Sequence, residues 1–207
     1  MRSLIFLLLL SFNATAALYD RGNGLIYDDV LDITWLQDAN YAETSSWASE
    51  NQVNLAHTSG NVQPNGSMSW FKAKEWVQGL EYAGSTNWRL PSILNSTNET
   101  GYNIHTGELG WMFYSSLGGV EQQPVPQNNI FTNIQHAAYW YEETSPHLAS
   151  ERWYFSMIYS YQHNAGANDS WYAWPVHDGD IGASPVPLPA AFWLFASGLI
   201  SLRLFKR

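Results

Sequence analysis

Two apolar segments, one near each end, confine any folded domain of this 207-residue chain to the residues between them. The first segment combines a positive residue, Arg2, with the uninterrupted apolar run 4–10 and the small-residue sequence Ala14-Thr-Ala. These are the three parts of a secretory signal peptide, in their required order. We therefore expect residues 1–16 to be a signal peptide and the exported domain to occupy residues 17–183.

The second apolar segment lies within residues 184–207 and is headed by proline. Its opening motif consists of Val186, Pro187, Leu188, Pro189 and Ala190. The apolar stretch 188–202 is short against the roughly 20 residues that a membrane-spanning helix needs, but it lengthens if Arg203 snorkels. The basic end of the chain should stay in the cytoplasm. This segment predicts a membrane tether that follows the domain.

The segment between the two ends is strongly acidic. It holds all 18 acidic residues of the chain but only five of its nine basic residues, namely Arg21, Lys72, Lys74, Arg89 and Arg152. Such a charge disfavours nucleic acid and anionic membrane surfaces as partners. It is compatible with solubility, with divalent cations and with neutral glycans.

The chain has no cysteine, and ten of its 11 tryptophans lie between the two apolar ends. An exported domain without disulfides must be held by its core alone or by a metal. Aromatic side chains fill cores and also line sugar-binding surfaces. Their density therefore leaves both uses open.

The stretch 69–91 predicts an amphipathic helix followed by a distinctive extended segment. Apolar residues recur at helical spacing from Trp70 to Leu80, Ser69 is a suitable N-cap, and Gly84 is a candidate stop. In the extended segment after the stop, Trp88 and Leu90 should face one side and Arg89 the other, with Pro91 ending any ladder.

Two roles are open for Arg89, as a ligand-binding cation or as a structural residue. A guanidinium beside core aromatics usually needs fixed partners. The structural role, with hydrogen bonds to loop carbonyls or carboxylates, is the preferred interpretation.

The remaining pattern predicts short strands, a second helix and long loops. A polar loop is expected at 40–66, with a helical turn near Trp47, a second loop at 92–106 and a hairpin loop at 160–169. The second helix is predicted at 108–117, closed by Gly118-Gly119. Strands are predicted at 25–27, 33–36, 138–141, 153–159 and 170–176.

Carboxylates and histidines show no clear metal or catalytic arrangement. Asp28, Asp29, Asp32 and Asp38 are candidates for calcium, but they lack the glycine-centred spacing of a calcium loop, which favours turn chemistry. The six histidines show no i, i+3 or i, i+4 pairing. Glu142-Glu143 cannot flank one glycosidic bond from a strand, because neighbours face opposite sides. No nucleophile elbow, phosphate loop or dinucleotide motif occurs.

Several motifs of the middle segment resemble the Lcl C-terminal-like domain. The most specific are Thr34-Trp-Leu-Gln-Asp-Ala-Asn and Asn87-Trp-Arg-Leu-Pro, and others are Gly24-Leu-Ile-Tyr-Asp, Gly107-Glu-Leu-Gly-Trp and Trp171-Tyr-Ala-Trp. This resemblance implies an α+β, C-type-lectin-like fold with one or two short helices, small antiparallel sheets and long loops. It also implies structural roles for Trp35, Trp70, Trp88, Arg89, Leu90, Pro91 and Trp153.

The proline-headed tail is similar to a PEP-CTERM sorting signal of the VPLPA type. The resemblance implies tethering in the inner membrane, processing by an exosortase, and delivery to the cell surface or extracellular matrix of a Gram-negative bacterium. An ordinary permanent anchor is the alternative.

Some relatives of the Lcl C-terminal-like domain bind polysaccharides and promote adhesion. We therefore expect a non-enzymatic carbohydrate-binding or adhesion module without a cofactor, with exposed aromatic rings as the contact surface. The expected ligand-binding residues are Trp47, Trp111, Tyr161 and Trp171. A purely structural matrix protein and a glycan hydrolase are the alternatives.

Overall fold

A computed structural model describes residues 17–94, 99–146 and 148–182. These residues form a mixed α/β structure with a few short helices and two small antiparallel sheets. The predicted signal peptide 1–16 and sorting segment 184–207 lie outside the described residues. Within the described ranges, no helix has both the length and the apolar character needed to cross a membrane.

The first sheet joins the start of the domain to its end. Its order is β1-β2-β3-β8, with every neighbouring pair antiparallel. The strands are β1 Leu18–Gly22, β2 Leu25–Asp28, β3 Ile33–Leu36 and β8 Val176–Asp178. Beside it, Arg21 Nη2 lies 2.5 Å from a carboxylate oxygen of Asp180. The strands predicted at 25–27 and 33–36 are confirmed.

The second sheet has the order β4-β7-β6-β5 and is also antiparallel. Its strands are β4 Gly101–Tyr102, β5 Ala138–Thr144, β6 Glu151–Ser156 and β7 Tyr161–Gly166. The prediction of a loop at 160–169 was wrong, since β7 pairs with β6 from Tyr161 to Gly166. The sequence of β7 is polar, so its pairing partner, and not its own composition, makes it a strand.

The helices are short and lie between the strands. They are α1 Tyr41–Thr44, α2 Trp47–Glu50, α3 Trp70–Gln78 and α4 Glu108–Trp111, which continues as a π-helical turn at Met112–Ser116. The helices expected near Trp47 and at 108–117 are therefore present.

Helix α3 begins as predicted but ends earlier. The Ser69 hydroxyl accepts a hydrogen bond from the backbone N–H of Lys72, as an N-cap should. Gly79, not Gly84, forms the C-cap. The low helix propensity of glycine stops the helix there, whereas Gly84 has φ +77° in the turn that follows.

Two buried clusters cover opposite faces of the second sheet. Trp153 and Phe155 of β6 belong to one cluster, which also holds Trp35, Phe113 and Trp174. On the other face, Trp140 is buried beside the apolar side of α3, and Tyr154 packs against the margin of that cluster. Because side chains alternate along a strand, β6 contributes to both faces.

The segment 170–176 is not the continuous strand that the alternation predicts. It makes single bridges instead: Trp171 pairs with Met68, Tyr172 with Tyr139, and Val176 with Arg89. The backbone of Trp171 exchanges hydrogen bonds of 2.8 and 3.1 Å with Met68. The neighbouring Tyr172 accepts a backbone hydrogen bond from the Trp140 N–H and donates one to the Ala138 carbonyl, both 2.9 Å, which ties this segment to β5 of the second sheet.

Candidate functional site

An open groove lies beside the β6–β7 pair of the second sheet. The register places Tyr154 opposite His163 and Ser156 opposite Tyr161, so these side chains share one face of the β6–β7 pair. The groove has a volume of about 280 Å³. It is lined by His136, Ala137, Ala138, Tyr154, Ser156, Ile158, Tyr159, Tyr161 and Trp171.

Aromatic rings contact one another along this groove. The Tyr154 ring centroid lies 5.8 Å from that of Trp171 and 6.0 Å from that of Tyr161. Tyr159 stacks on Tyr161 at 6.2 Å and 30°, and Tyr159 is 57% exposed. Trp171, Tyr154 and Tyr161 are half-buried. The rings of the groove are therefore partly buried against the domain, and the rest of their surface is accessible to solvent.

A buried turn residue, Ser160, holds the backbone between Tyr159 and Tyr161. Ser160 is fully buried with φ +55°, and its hydroxyl donates to the Tyr159 carbonyl while accepting from the Gln122 N–H, both at 2.6 Å. The Ser160 carbonyl accepts a hydrogen bond from the Tyr114 hydroxyl. This anchoring limits the freedom that Tyr159 and Tyr161 would lose on binding a ligand.

Among the described residues that line the groove, His136 is the one ionisable basic side chain. None of its lining residues, which all lie in the described part of the chain, is Asp, Glu, Lys or Arg. The hydroxyl oxygens of Tyr154 and Tyr161 are 3.0 Å apart and share a hydrogen bond. Burial, followed by this hydrogen bond, raises the pKa of Tyr154, so its phenol is uncharged at neutral pH. The groove offers hydroxyl groups and ring faces, and it offers no fixed charge.

The structure brings together only two of the four residues expected to bind ligand. Tyr161 and Trp171 line the groove. Trp47 lies elsewhere, with its ring 5.7 Å from that of Trp76, and with Glu75 it lines two other cavities of about 250 and 350 Å³. Trp111 is half-buried in α4 and is not among the groove residues.

Seven of the nine groove residues were not among those expected, and Tyr154 and His136 illustrate why. Tyr154 was detectable, because it alternates with the buried Trp153 and Phe155 on β6 and must face the other side. His136 carries no local signal, since the fold alone brings its loop to the groove. The expectation of exposed indoles was wrong for the described tryptophans: Trp47, Trp111 and Trp171 are half-buried and the others are buried.

The Arg89 side chain is paired with two carboxylates. Its guanidinium makes two hydrogen bonds of 2.8 Å to Glu108 and others to Asp178 and the Leu90 carbonyl. Burial lowers the pKa of Arg89, but the bonds and charge of Glu108, with those of Asp178, outweigh it and leave the pKa raised. The geometry is that of a structural cation.

The other residues given structural roles lie in the core. Trp35, Trp88, Leu90 and Trp153 are at most 1% exposed. The Trp70 indole N–H donates to the Tyr141 carbonyl at 2.8 Å, and the buried Pro91 accepts from the Glu142 N–H at 2.8 Å.

The aspartates considered for calcium are used in turns. Asp28 accepts from the backbone N–H groups of Val30 and Leu31, both at 3.1 Å. Asp29 accepts from the N–H of Ala17, Asp32 from the Tyr27 hydroxyl, and Asp38 from the Asn40 N–H. Within the three described ranges, no group of three or more His, Asp or Glu side chains is arranged to hold a metal ion.

The adjacent glutamates have separate partners. Glu142 lies 2.6 Å from Lys74 Nζ, whereas Glu143 accepts from the hydroxyl of Ser92 and the N–H of Ile93. They do not converge on one cleft.

Comparison with known proteins gives no relative: no family model, no curated protein and no solved structure matches this chain. The groove geometry must therefore carry the functional argument.

Proposed function

We propose that this chain is an exported, non-enzymatic module that binds carbohydrate through the aromatic groove. The observation that carries this proposal is the series of rings from Trp171 through Tyr154 to Tyr161 and Tyr159, around a cavity without fixed charge. Sugars present apolar C–H faces that pack on aromatic rings, and their hydroxyls pair with neutral polar groups.

The fold we propose is C-type-lectin-like, of the kind found in Lcl C-terminal-like domains. The short helices, the two small antiparallel sheets and the long connections support this assignment. The buried Trp88 and Leu90 on either side of Arg89, whose guanidinium pairs with the buried Glu108, support it as well.

We also propose that the protein is processed at both ends. Residues 1–16 direct export, and residues 184–207 tether the chain in the inner membrane until an exosortase delivers it to the surface or matrix. Cell fractionation and mass determination of the mature chain test this. A mature protein that is found in the cytoplasm with residues 1–16 intact contradicts it.

Affinity electrophoresis tests the binding function directly. Residues 17–183 are run through native gels that contain dextran, laminarin, hydroxyethyl cellulose or galactomannan. At least one neutral polysaccharide should retard the domain, and Tyr159→Ala should weaken that retardation about tenfold or more.

Tyr19→Ala is the matched control for Tyr159→Ala. Tyr19 is an exposed tyrosine on β1, far in the chain from the groove, and its replacement should leave retention unchanged. Circular dichroism confirms that both variants are folded. Equal retention of the folded Tyr159→Ala variant and the wild type would count against the proposal.

A purely structural matrix protein is the second candidate, because none of the described tryptophans is exposed. Acrylamide quenching with and without polysaccharide separates the two functions. Protection of Trp171 fluorescence by polysaccharide supports binding, and a Trp171→Phe variant identifies its contribution.

A further inference from the structure

The aromatic groove shares one lining residue with a second cavity of different chemistry. His136 lines both. The second cavity has a volume of about 170 Å³ and is formed by the loop that precedes β5. Its other lining residues are Val125, Pro126, Gln127, Asn128, Phe131, Asn133 and Ile134.

Neither cavity alone is large enough for a typical ligand site. Small-molecule sites usually enclose roughly 300–1,000 Å³, whereas the groove and the second cavity have volumes of about 280 and 170 Å³. Taken together they fall within that range. A ligand that reaches across His136 would therefore bury much more surface than one confined to either side.

The second cavity supplies amide groups where the groove supplies rings. Gln127 and Asn133 line it and are exposed. The Gln127 amide offers donors and acceptors to hydroxyl groups, whereas the Asn133 amide nitrogen already donates to Asp38 at 2.9 Å and its oxygen is the acceptor it offers. The Asn128 side chain is used internally, since its oxygen accepts from the N–H groups of Ile130 and Phe131. These hydrogen bonds stabilise the conformation of the loop that contains Gln127 and Asn133.

Neither cavity has a cation for an acidic ligand. The two sets of lining residues, all within the described ranges, contain no Lys or Arg, and His136 is the one basic side chain among them. The domain as a whole is strongly acidic. A sulfated or uronic glycan would therefore be repelled at long range and would find no guanidinium or ammonium partner on contact.

We infer that the ligand is a neutral oligosaccharide of at least two sugar units, bound across both cavities with His136 between them. One unit stacks on the rings of Tyr154, Tyr161 and Trp171, and the next hydrogen-bonds with Gln127 and Asn133. This inference rests on the proposed carbohydrate-binding function and adds the charge and the minimum length of the ligand.

The test compares three single variants in the same affinity gels. Gln127→Ala and His136→Ala alter exposed side chains of the second cavity, and Gln123→Ala, an exposed residue outside its lining, is the control. The first two should each weaken retention by a neutral polysaccharide roughly fivefold, as loss of one hydrogen bond predicts. Gln123→Ala should have no effect.

Ligand charge and length give a second readout. Dextran sulfate and alginate should not retard the wild type. Calorimetry with sugars cut from the retarding polysaccharide should show a gain in affinity from the monosaccharide to the disaccharide, and Gln127→Ala should abolish that gain.

The outcomes separate the two proposals. If only the anionic polymers retard the domain, or if Gln127→Ala and His136→Ala bind as the wild type does while Tyr159→Ala is impaired, the two-cavity inference is wrong and carbohydrate binding stands. If no polysaccharide retards the wild type, carbohydrate binding itself is wrong.

Discussion

Arg89 and Glu108 form a bidentate ion pair, with Nη1 and Nη2 each 2.8 Å from a different carboxylate oxygen. Glu108 is 2% exposed and also accepts a hydrogen bond of 2.6 Å from the Ser92 N–H. The pair ties the extended segment after α3 to the first residue of α4. Two elements distant in the chain are thereby fixed by one interaction.

Arg89→Ala should destabilise the domain by about 3 kcal/mol, because it leaves the Glu108 carboxylate buried without its cation. Denaturant unfolding measures the change. Lys72→Ala is the control, since Lys72 pairs at 2.8 Å with the exposed Glu75, and such surface pairs contribute about 0.5 kcal/mol or less. Similar losses in the two variants would contradict the structural role of Arg89.

Alanine should have opposite effects at Gly110 in α4 and at Gly79, the C-cap of α3. A Cβ at Gly110 would overlap the Ile104 carbonyl oxygen, so Gly110→Ala should destabilise by about 3 kcal/mol despite better helix propensity. At Gly79 the nearest atom would be the Glu75 oxygen at 3.5 Å, and φ is −89°. Gly79→Ala should therefore stabilise by about 0.5 kcal/mol. Thermal unfolding of both variants checks the difference in sign.

The buried Asp28 carboxyl should make the free energy of unfolding depend on pH in the acidic range. Burial raises the pKa of Asp28, partly opposed by hydrogen bonds from Leu31, Val30 and Ser116. Because the folded pKa exceeds the unfolded value of about 3.9, the cost of the charge is fully present above the folded pKa. This free-energy cost declines as the pH falls through the folded pKa, and it vanishes below the pKa of the unfolded state.

Asp28→Asn should therefore be at least as stable as the wild type at neutral pH, since an amide oxygen still accepts from Val30 and Leu31. Its advantage should shrink as the pH approaches about 4. Asp28→Ala loses the acceptors and should be less stable by about 2 kcal/mol. Denaturant titrations across this pH range measure all three proteins. An Asn variant that loses as much stability as the Ala variant would refute the argument.

Alkaline pH should unfold the domain through its buried tyrosines. Burial raises the pKa of Tyr139 and of Tyr141, so the folded state keeps both protons. The resulting stability is complete below the unfolded pKa of about 10 and is lost as pH rises toward the folded values. Tyr139→Phe should reduce the slope of stability against pH above about 10, as followed by circular dichroism. The same slope in both proteins would exclude Tyr139 as a contributor.

Carbohydrate retention should be nearly independent of salt. The Debye length falls from about 30 to 3 Å between about 0.01 and 1 M salt, which weakens exposed charge interactions. The groove lining has no Lys, Arg, Asp or Glu, so retention should change less than about twofold over this range. A loss of tenfold or more would mean that charges outside the groove carry the binding.

Local patterns predicted the elements that have strong signals of their own. The strands β2 and β3 follow from apolar runs around an aspartate turn, and the start of α3 follows from Ser69. Strand β7 has a polar sequence, so only its pairing with β6 identifies it. The predicted end of α3 depended on whether the helix continues through Gly79, and helix propensity alone does not decide this.

The candidate site was predicted in part for the same reason. Tyr161 and Trp171 stand out as aromatic residues near a turn, but their distance from Trp47 and Trp111 is a property of the tertiary fold. Tyr154 follows from strand alternation once β6 is known. His136 reaches the groove only through the path of a loop, which no periodicity encodes.

The ion pair between Arg21 and Asp180 has a practical consequence, since it fastens the beginning of the domain to its end. Neighbouring termini allow a domain to be spliced into a loop of another protein as a unit, or to be circularly permuted. A short linker between residues 182 and 17, with new termini in the exposed stretch 51–59, would leave both sheets and the groove intact. The domain can thus be inserted into a loop of a host protein while its own core packing stays unchanged.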